Sequence, residues 1–172
     1  GLGAFDQRQQ IPASALGNWM WHAKPVEKDQ IVSFVREIEI PAGTLAIEAE
    51  LLTAARSRDA VVTMTSIIDK HGEEWKLGPS SARPPFLSGM GDVYALAPGK
   101  QYLVMEAQAQ GNNPAITAGL KIELSDGQAM DVIADDSWKS MVGKFRGAAS
   151  AGRLSPVAVH GAYGDNPKEM RE

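Results

Sequence analysis

An all-β fold, a single antiparallel β-sandwich of jelly-roll type, is what this sequence predicts, and three observations predict it. Apolar residues recur at every second position in short runs. Clusters of Gly, Pro, Asn and Asp bound those runs, and little helical periodicity lies between them. The length of 172 residues suits one ordinary domain and is too short for two well-built cores. About eight or nine strands at this spacing favour a sandwich over an alternating βαβ fold.

The run Trp19-Met20-Trp21-His22 opens the series and is stopped by Lys24-Pro25. In a regular strand Trp19 and Trp21 share a face, which places both in one core environment. Ile31 to Ile40 puts Val32, Phe34, Ile38 and Ile40 on one face and Glu37 and Glu39 on the other, with Arg36 interrupting the apolar face. Pro41-Ala42-Gly43 then turns the chain. Leu45 to Ala55 alternates Leu45, Ile47, Ala49 and Leu51 against Ala46, Glu48 and Glu50, although its Ala and Leu content also suits a short helix. Val61 to Ile68 is rich in β-branched residues, which favour a pleated surface. Asp69-Lys70-His71-Gly72 reads as a hairpin turn, with Glu74-Trp75-Lys76-Leu77 returning.

Gly78 to Gly91 is Pro-, Gly- and Ser-rich and reads as a long surface loop. Val93 to Leu96 reads as a short strand, and Pro98-Gly99 turns into the strand Tyr102 to Ala107. After the turn Gly111-Asn112-Asn113-Pro114 come Thr117 to Leu124 and Met130 to Ala134. Ser125-Asp126-Gly127 joins those two strands and is the clearest hairpin signal in the chain. Gly143 to Gly152 reads as a flexible loop, and Val157-Ala158-Val159 as a last strand. The expected core is Phe34, Ile38, Ile40, Leu103, Met105, Leu120, Ile122 and Trp138.

Composition narrows the functions. Lys and Arg total 17 against 21 Asp and Glu, a net charge of −4. That balance disfavours a nucleic-acid partner, which needs a basic face to neutralise phosphates. With no cysteine in the chain, disulfides, thiolate metal sites and cysteine nucleophiles are excluded. No apolar run approaches the roughly 20 residues that span a bilayer, so no membrane partner is expected.

Several runs together resemble a known module, the galactose-binding-like β-sandwich that accompanies the catalytic domains of bacterial α-L-rhamnosidases and related glycoside hydrolases. Asn18-Trp19-Met20-Trp21 is similar to its opening Trp-containing strand. Phe34-Val35-Arg36-Glu37-Ile38-Glu39-Ile40-Pro41 is similar to its Phe-x-basic-x-apolar-x-apolar-Pro strand. Asp92-Val93-Tyr94, Leu96 and Pro98-Gly99-Lys100 resemble the segment before a Gly-Lys-Asn turn, with Gln101 in place of Asn. The most specific part is Gly119-Leu120-Lys121-Ile122-Glu123-Leu124-Ser125-Asp126-Gly127 followed by Asp135-Asp136-Ser137-Trp138-Lys139. In the middle the pattern differs: Thr53-Ala54-Ala55 lacks an acid that the family carries, and Asp69-Lys70-His71-Gly72 stands where the family has Asn-Gly. Pro167-Lys168 stands where the family continues Pro-Trp.

The resemblance implies a module over residues 15–164, a leader over 1–14 and a polar tail or linker over 165–172. It implies a noncatalytic accessory role in a carbohydrate-active, secreted or periplasmic protein, binding a glycan or packing on a neighbouring catalytic domain. The alternative is a purely structural or protein-interaction domain of a larger secreted protein.

The residues themselves supply no catalytic set. Asp135-Asp136 and Glu73-Glu74 are adjacent pairs, and neighbours on a strand point to opposite faces, which is not the paired geometry of glycoside hydrolysis. Solvated turn acids are the expectation there. A structural calcium on Asp135, Asp136 and backbone carbonyls is the alternative, since hard cations take oxygen ligands. No other cofactor is implied. His22, His71 and His160 lie far apart in sequence, unlike the ligands of a compact zinc motif. The candidate ligand-binding residues are therefore His71, Glu74 and Trp75 in the hairpin return, Arg83 in the Pro-rich loop, and Asn112 and Asn113 if their turn lies at the same end. Trp75 would offer a ring face to a sugar, and the polar groups would bind its hydroxyls; the alternative is that Trp75 caps the end of the sandwich with no ligand.

Overall fold

The computed structural model describes residues 16–78, 86–90 and 96–163. Twelve strands are described: β1 (Asn18–Trp21), β2 (Ile31–Ile40), β3 (Ala46–Ala55), β4 (Ala60–Ile68), β5 (Glu74–Gly78), β6 (Phe86–Met90), β7 (Gly99–Ala109), β8 (Ile116–Leu124), β9 (Ala129–Ile133), β10 (Lys139–Val142), β11 (Ser155–Pro156) and β12 (Ala158–Ala162). They form two six-stranded sheets. The first runs β12-β1-β8-β3-β6 with β9 also on β8, and the second runs β11-β10-β2-β7-β4-β5. All pairings between named strands are antiparallel, and the chain passes repeatedly between the sheets, so most neighbours are not consecutive. This is the predicted all-β sandwich.

Long strands follow from the alternation. In β2, Val32, Phe34, Ile38 and Ile40 are buried between the sheets, as expected. Leu103 and Met105 of β7 and Leu120 and Ile122 of β8 meet them in the same core. Trp138 is fully buried there, and its indole N–H donates to the Ile133 carbonyl at 3.0 Å. All eight predicted core residues are buried. Each such large apolar side chain contributes about 1.5–3 kcal/mol by leaving water.

Two local expectations change, in β1 and in β3. In β1 the pairing to β12 slips between Trp19 and Met20. The extra residue there lies on β12, where His160 is skipped in the pairing, and Trp19 and Trp21 fall in separate clusters and not in one shared environment. Trp21 enters the main core beside Phe34, with ring centroids 5.2 Å apart. Trp19 instead packs with Leu16, Leu52, Ala54, Ala115 and Tyr163 in a separate cluster, with the Arg56 guanidinium 5.2 Å from its ring centroid. In β3 the slip lies between Ala46 and Glu48. Leu45 and Ile47, expected inside, are 61% and 59% exposed, while Ala46, Ala49 and Leu51 are buried. The segment is a strand and not the helix its composition also suited, because β6 and β8 flank it on both sides.

Three further readings change. The stretch expected as loop from Gly78 to Gly91 contains β6, which pairs with β3 from Thr53↔Phe86 to Ala49↔Met90. The expected strand Val93 to Leu96 falls mostly outside the described residues, and Leu96 itself is buried but not in a strand. The Gly143–Gly152 region is a packed strap and not a free loop. Phe145 is buried on the outer face of the second sheet with Val35, Ile68, Val104 and Met141, and the 3-10 helix Gly147–Arg153 comes after it. Strand β10, whose alternation is too short to read, completes that sheet by pairing with β2.

Candidate functional site

The β4–β5 hairpin is built around Asp69. Its Oδ1 accepts the backbone N–H groups of His71 at 2.8 Å and Glu73 at 2.9 Å, and its Oδ2 accepts the indole N–H of Trp75 at 3.0 Å. Backbone bonds from Gly72 N–H to the Asp69 carbonyl and from Asp69 N–H to the Glu73 carbonyl close the turn. The hydrogen bond from Trp75 holds the Asp69 carboxyl below its ordinary value, with the Glu73 and His71 amides adding to the effect. In the sequence Asp69 is legible only as a turn residue. The signal for its wider role is an Asp opening a four-residue turn that ends in Gly, the arrangement in which an Asx side chain takes backbone amides two residues on.

Pairing places the neighbours of Asp69 on opposite faces. Trp75 lies opposite Ile67, whose side chain is in the inter-sheet core, so the ring lies on the inner side of the edge strand β5. It is 38% exposed. Glu74 lies opposite Ile68, on the outer face. There its carboxylate binds Lys144 Nζ at 3.2 Å, and Glu106 binds the same ammonium at 3.3 Å. Burial would lower the Lys144 pKa, but the hydrogen bonds to Glu74 and Glu106 outweigh it and raise it. Glu74 therefore pins the strap to the hairpin, on the side of β5 away from Trp75.

The sequence-predicted residues separate in space. His71, Glu74 and Trp75 belong to the hairpin beside the start of β7, where Ile68 pairs with Tyr102. Asn112 and Asn113 lie past the other end of β7, where Ala60 pairs with Ala109. The seven strand steps from Tyr102 to Ala109, at about 3.3 Å each, put the two turns more than about 20 Å apart along β7. The condition under which the asparagines would join the hairpin is not met. Their turn is tied instead to the β3–β4 connection: Gln110 and Gly111 N–H bond the Asp59 carbonyl, and Arg56 Nη1 bonds the Asn113 carbonyl at 3.0 Å. Arg83 lies outside the described residues.

The remaining candidates have local partners. Asp135 Oδ1 accepts the Ser137 N–H at 2.9 Å and the Ser137 hydroxyl, which commits it to the turn before Trp138. Among the described residues no three His, Asp or Glu side chains are gathered to hold a metal ion. A histidine–serine contact that spacing did not reveal is His22 Nδ1 to Ser140 Oγ at 2.7 Å. Burial, then the nearby Lys24 charge, lowers the His22 pKa. Ser140 is 0% exposed, so no substrate reaches its hydroxyl, and the pair ties the end of β1 to β10. A shallow open depression on the outer face of the first sheet is lined by Glu48, Ala49, Glu50, Lys121 and Glu123. No helix of the described residues is long and apolar enough to cross a membrane.

No family model and no curated protein sequence matches the chain. Solved structures do. The lectin from Pleurotus ostreatus in complex with GalNAc matches with a TM-score of 0.61 at 17% identity, over 87% of this chain and 44% of that one. The Streptomyces avermitilis α-L-rhamnosidase complexed with L-rhamnose matches with a TM-score of 0.63 at 16% identity, over 92% of this chain and 16% of that one. The α-L-rhamnosidase from Dictyoglumus thermophilum matches with a TM-score of 0.62 at 11% identity, over 86% and 22%. At these identities the likeness is one of fold, and it agrees with the galactose-binding-like sandwich that the strand motifs resemble. The chain spans less than half the length of the lectin and about a fifth of the rhamnosidases.

Proposed function

We propose that the chain is a noncatalytic accessory module of a carbohydrate-active protein and that it binds glycan. The observation that carries this reading is the fold match. The same sandwich forms part of a lectin described with GalNAc and a minor part of a rhamnosidase described with L-rhamnose. In such sandwiches the strands hold the connecting loops in place, and binding commonly uses those loops. The hairpin end carrying His71 and Trp75 is the candidate contact. A secreted or periplasmic setting, beside a catalytic domain, accompanies the reading.

The test is titration of the chain with oligosaccharides ending in GalNAc, galactose or L-rhamnose, following tryptophan fluorescence. Saturable change with at least one sugar is expected. Silence across the panel would refute glycan binding. Aryl rhamnosides and galactosides should show no turnover, and hydrolysis abolished by changing Asp135 or Glu74 would overturn the noncatalytic role. One observation favours the alternative of a structural or protein-interaction domain. Among the described residues strand β12 ends the first sheet with only β1 beside it and Val159 39% exposed, an edge on which a neighbouring domain can pair. A pull-down of a flanking domain that is lost on changing Val159→Lys, with no glycan response, would establish it.

A further inference from the structure

We propose that Asp69 is the positioning residue of a sugar-stacking platform whose contact surface is the ring of Trp75, an assignment that rests on the glycan reading above. Of the four tryptophans, Trp19, Trp21 and Trp138 are 2%, 5% and 0% exposed, and Trp75 is 38% exposed. Trp75 is thus the tryptophan whose ring a ligand can reach.

A half-exposed indole on a hairpin would ordinarily sample several orientations. Here its one polar atom is engaged, because Nε1–H donates to Asp69 Oδ2 at 3.0 Å. The same carboxylate is itself fixed by the amides of His71 and Glu73 through Oδ1. The ring orientation is therefore set by the turn, three bonds converging on one carboxylate. With its one donor engaged, what the indole can offer a ligand is carbon surface. A π face with its N–H occupied suits the C–H face of a pyranose, whereas a ligand read by hydrogen bonding to the indole would find no donor left. Lys70 and His71, exposed in the same turn, supply donors for hydroxyls at the rim. Fixing the ring before binding removes the cost of immobilising it afterwards, which is how preorganisation raises affinity.

Asp69→Asn tests the bond selectively. The amide oxygen still accepts from the His71 and Glu73 amides, while its NH₂ group meets the indole N–H donor to donor and frees the ring. Against the oligosaccharides ending in GalNAc, galactose and L-rhamnose, Trp75→Ala should abolish binding. D69N should weaken it about three- to tenfold, the range that ordering one side chain costs. Trp75→Phe removes the same bond from the ring side, and adding D69N to it should cause no further loss. Unchanged affinity in D69N, or in W75F should D69N fail to fold, would overturn the positioning role and leave glycan binding standing. A further loss on adding D69N to W75F would overturn it too, by showing that Asp69 acts other than through the indole. Unchanged affinity in W75A would overturn the platform and move the sugar site elsewhere. Absence of binding by the parent chain to every sugar would overturn this assignment and the glycan reading together.

Discussion

Gly17→Ala separates two costs that a single destabilised variant would confuse. Gly17 sits just before β1 with φ +84, and a Cβ built there lies 2.5 Å from the Ala134 carbonyl oxygen and 2.8 Å from its nitrogen. This is where the residue before β1 meets the residue after β9: Gly17 bridges Ala134, Asn18 N–H donates to the Ala134 carbonyl at 2.8 Å, and Tyr163 N–H donates to the Gly17 carbonyl at 2.9 Å. Left-handed backbone costs a non-glycine residue about 1–2 kcal/mol. Forcing a methyl into backbone atoms adds an overpacking cost of about 1–3 kcal/mol, and a lost bond such as that of Asn18 adds about 1 kcal/mol. G17A should therefore lose about 3–6 kcal/mol. Gly127, in the β8–β9 turn at φ +88, has open space where a Cβ would stand, with nothing within 4 Å. Gly127→Ala should therefore lose the backbone cost of about 1–2 kcal/mol alone. Urea unfolding of both variants at equal m-value reads the difference directly. A G17A loss within about 0.5 kcal/mol of the G127A loss would refute the close approach of Gly17 to Ala134.

Other expectations rest on the same packing. Trp138→Ala should cost about 3–5 kcal/mol, since the ring is fully buried, and a melting temperature equal to the parent's would contradict its place in the core. Ile47→Thr should change stability by less than about 0.5 kcal/mol because the β3 bulge turns the side chain to water, whereas Ile38→Thr should unfold the chain at markedly lower denaturant. Equal losses at the two positions would refute the bulge. Asp69, held below its ordinary value first by the Trp75 indole, contributes stability that is present above the unfolded carboxylate range and lost as pH falls through the lowered folded value. The melting-temperature gap between parent and D69N should therefore be full near neutrality and close below about pH 4. A gap that widens on acidification would contradict the sign.

Much of the sandwich is legible because its information is local. Alternation in Ile31–Ile40, the β-branched run before Asp69 and the Asp126-Gly127 turn depend on residues near one another in the chain, and a period of two names the buried face without knowledge of the partner strand. The hairpin carrying His71 and Trp75 is visible for the same reason. Features beyond reach of that reasoning depend on partners distant in sequence. The bulge at Ile47 is set by the strand it pairs with and reverses an inside-outside assignment that the sequence supports locally, and the split of Trp19 and Trp21 between two clusters depends on what packs on each. Strand β6 forms within a Pro- and Gly-rich stretch because β3 has an edge to fill. Glu74 and Trp75, neighbours on β5, point to opposite faces by the period of two, but that Glu74 meets Lys144 there depends on the strap from residue 143 onward returning across the second sheet. The separation of Asn112 and Asn113 from Trp75 comes from the length and direction of β7, which carries one turn at each end. Strands and core can be read from the chain alone, since they obey a rule between neighbours. Which loops share an end of the sandwich, and that Asp69 holds Trp75, emerge only on folding, since register, bulges and the return of the chain set them.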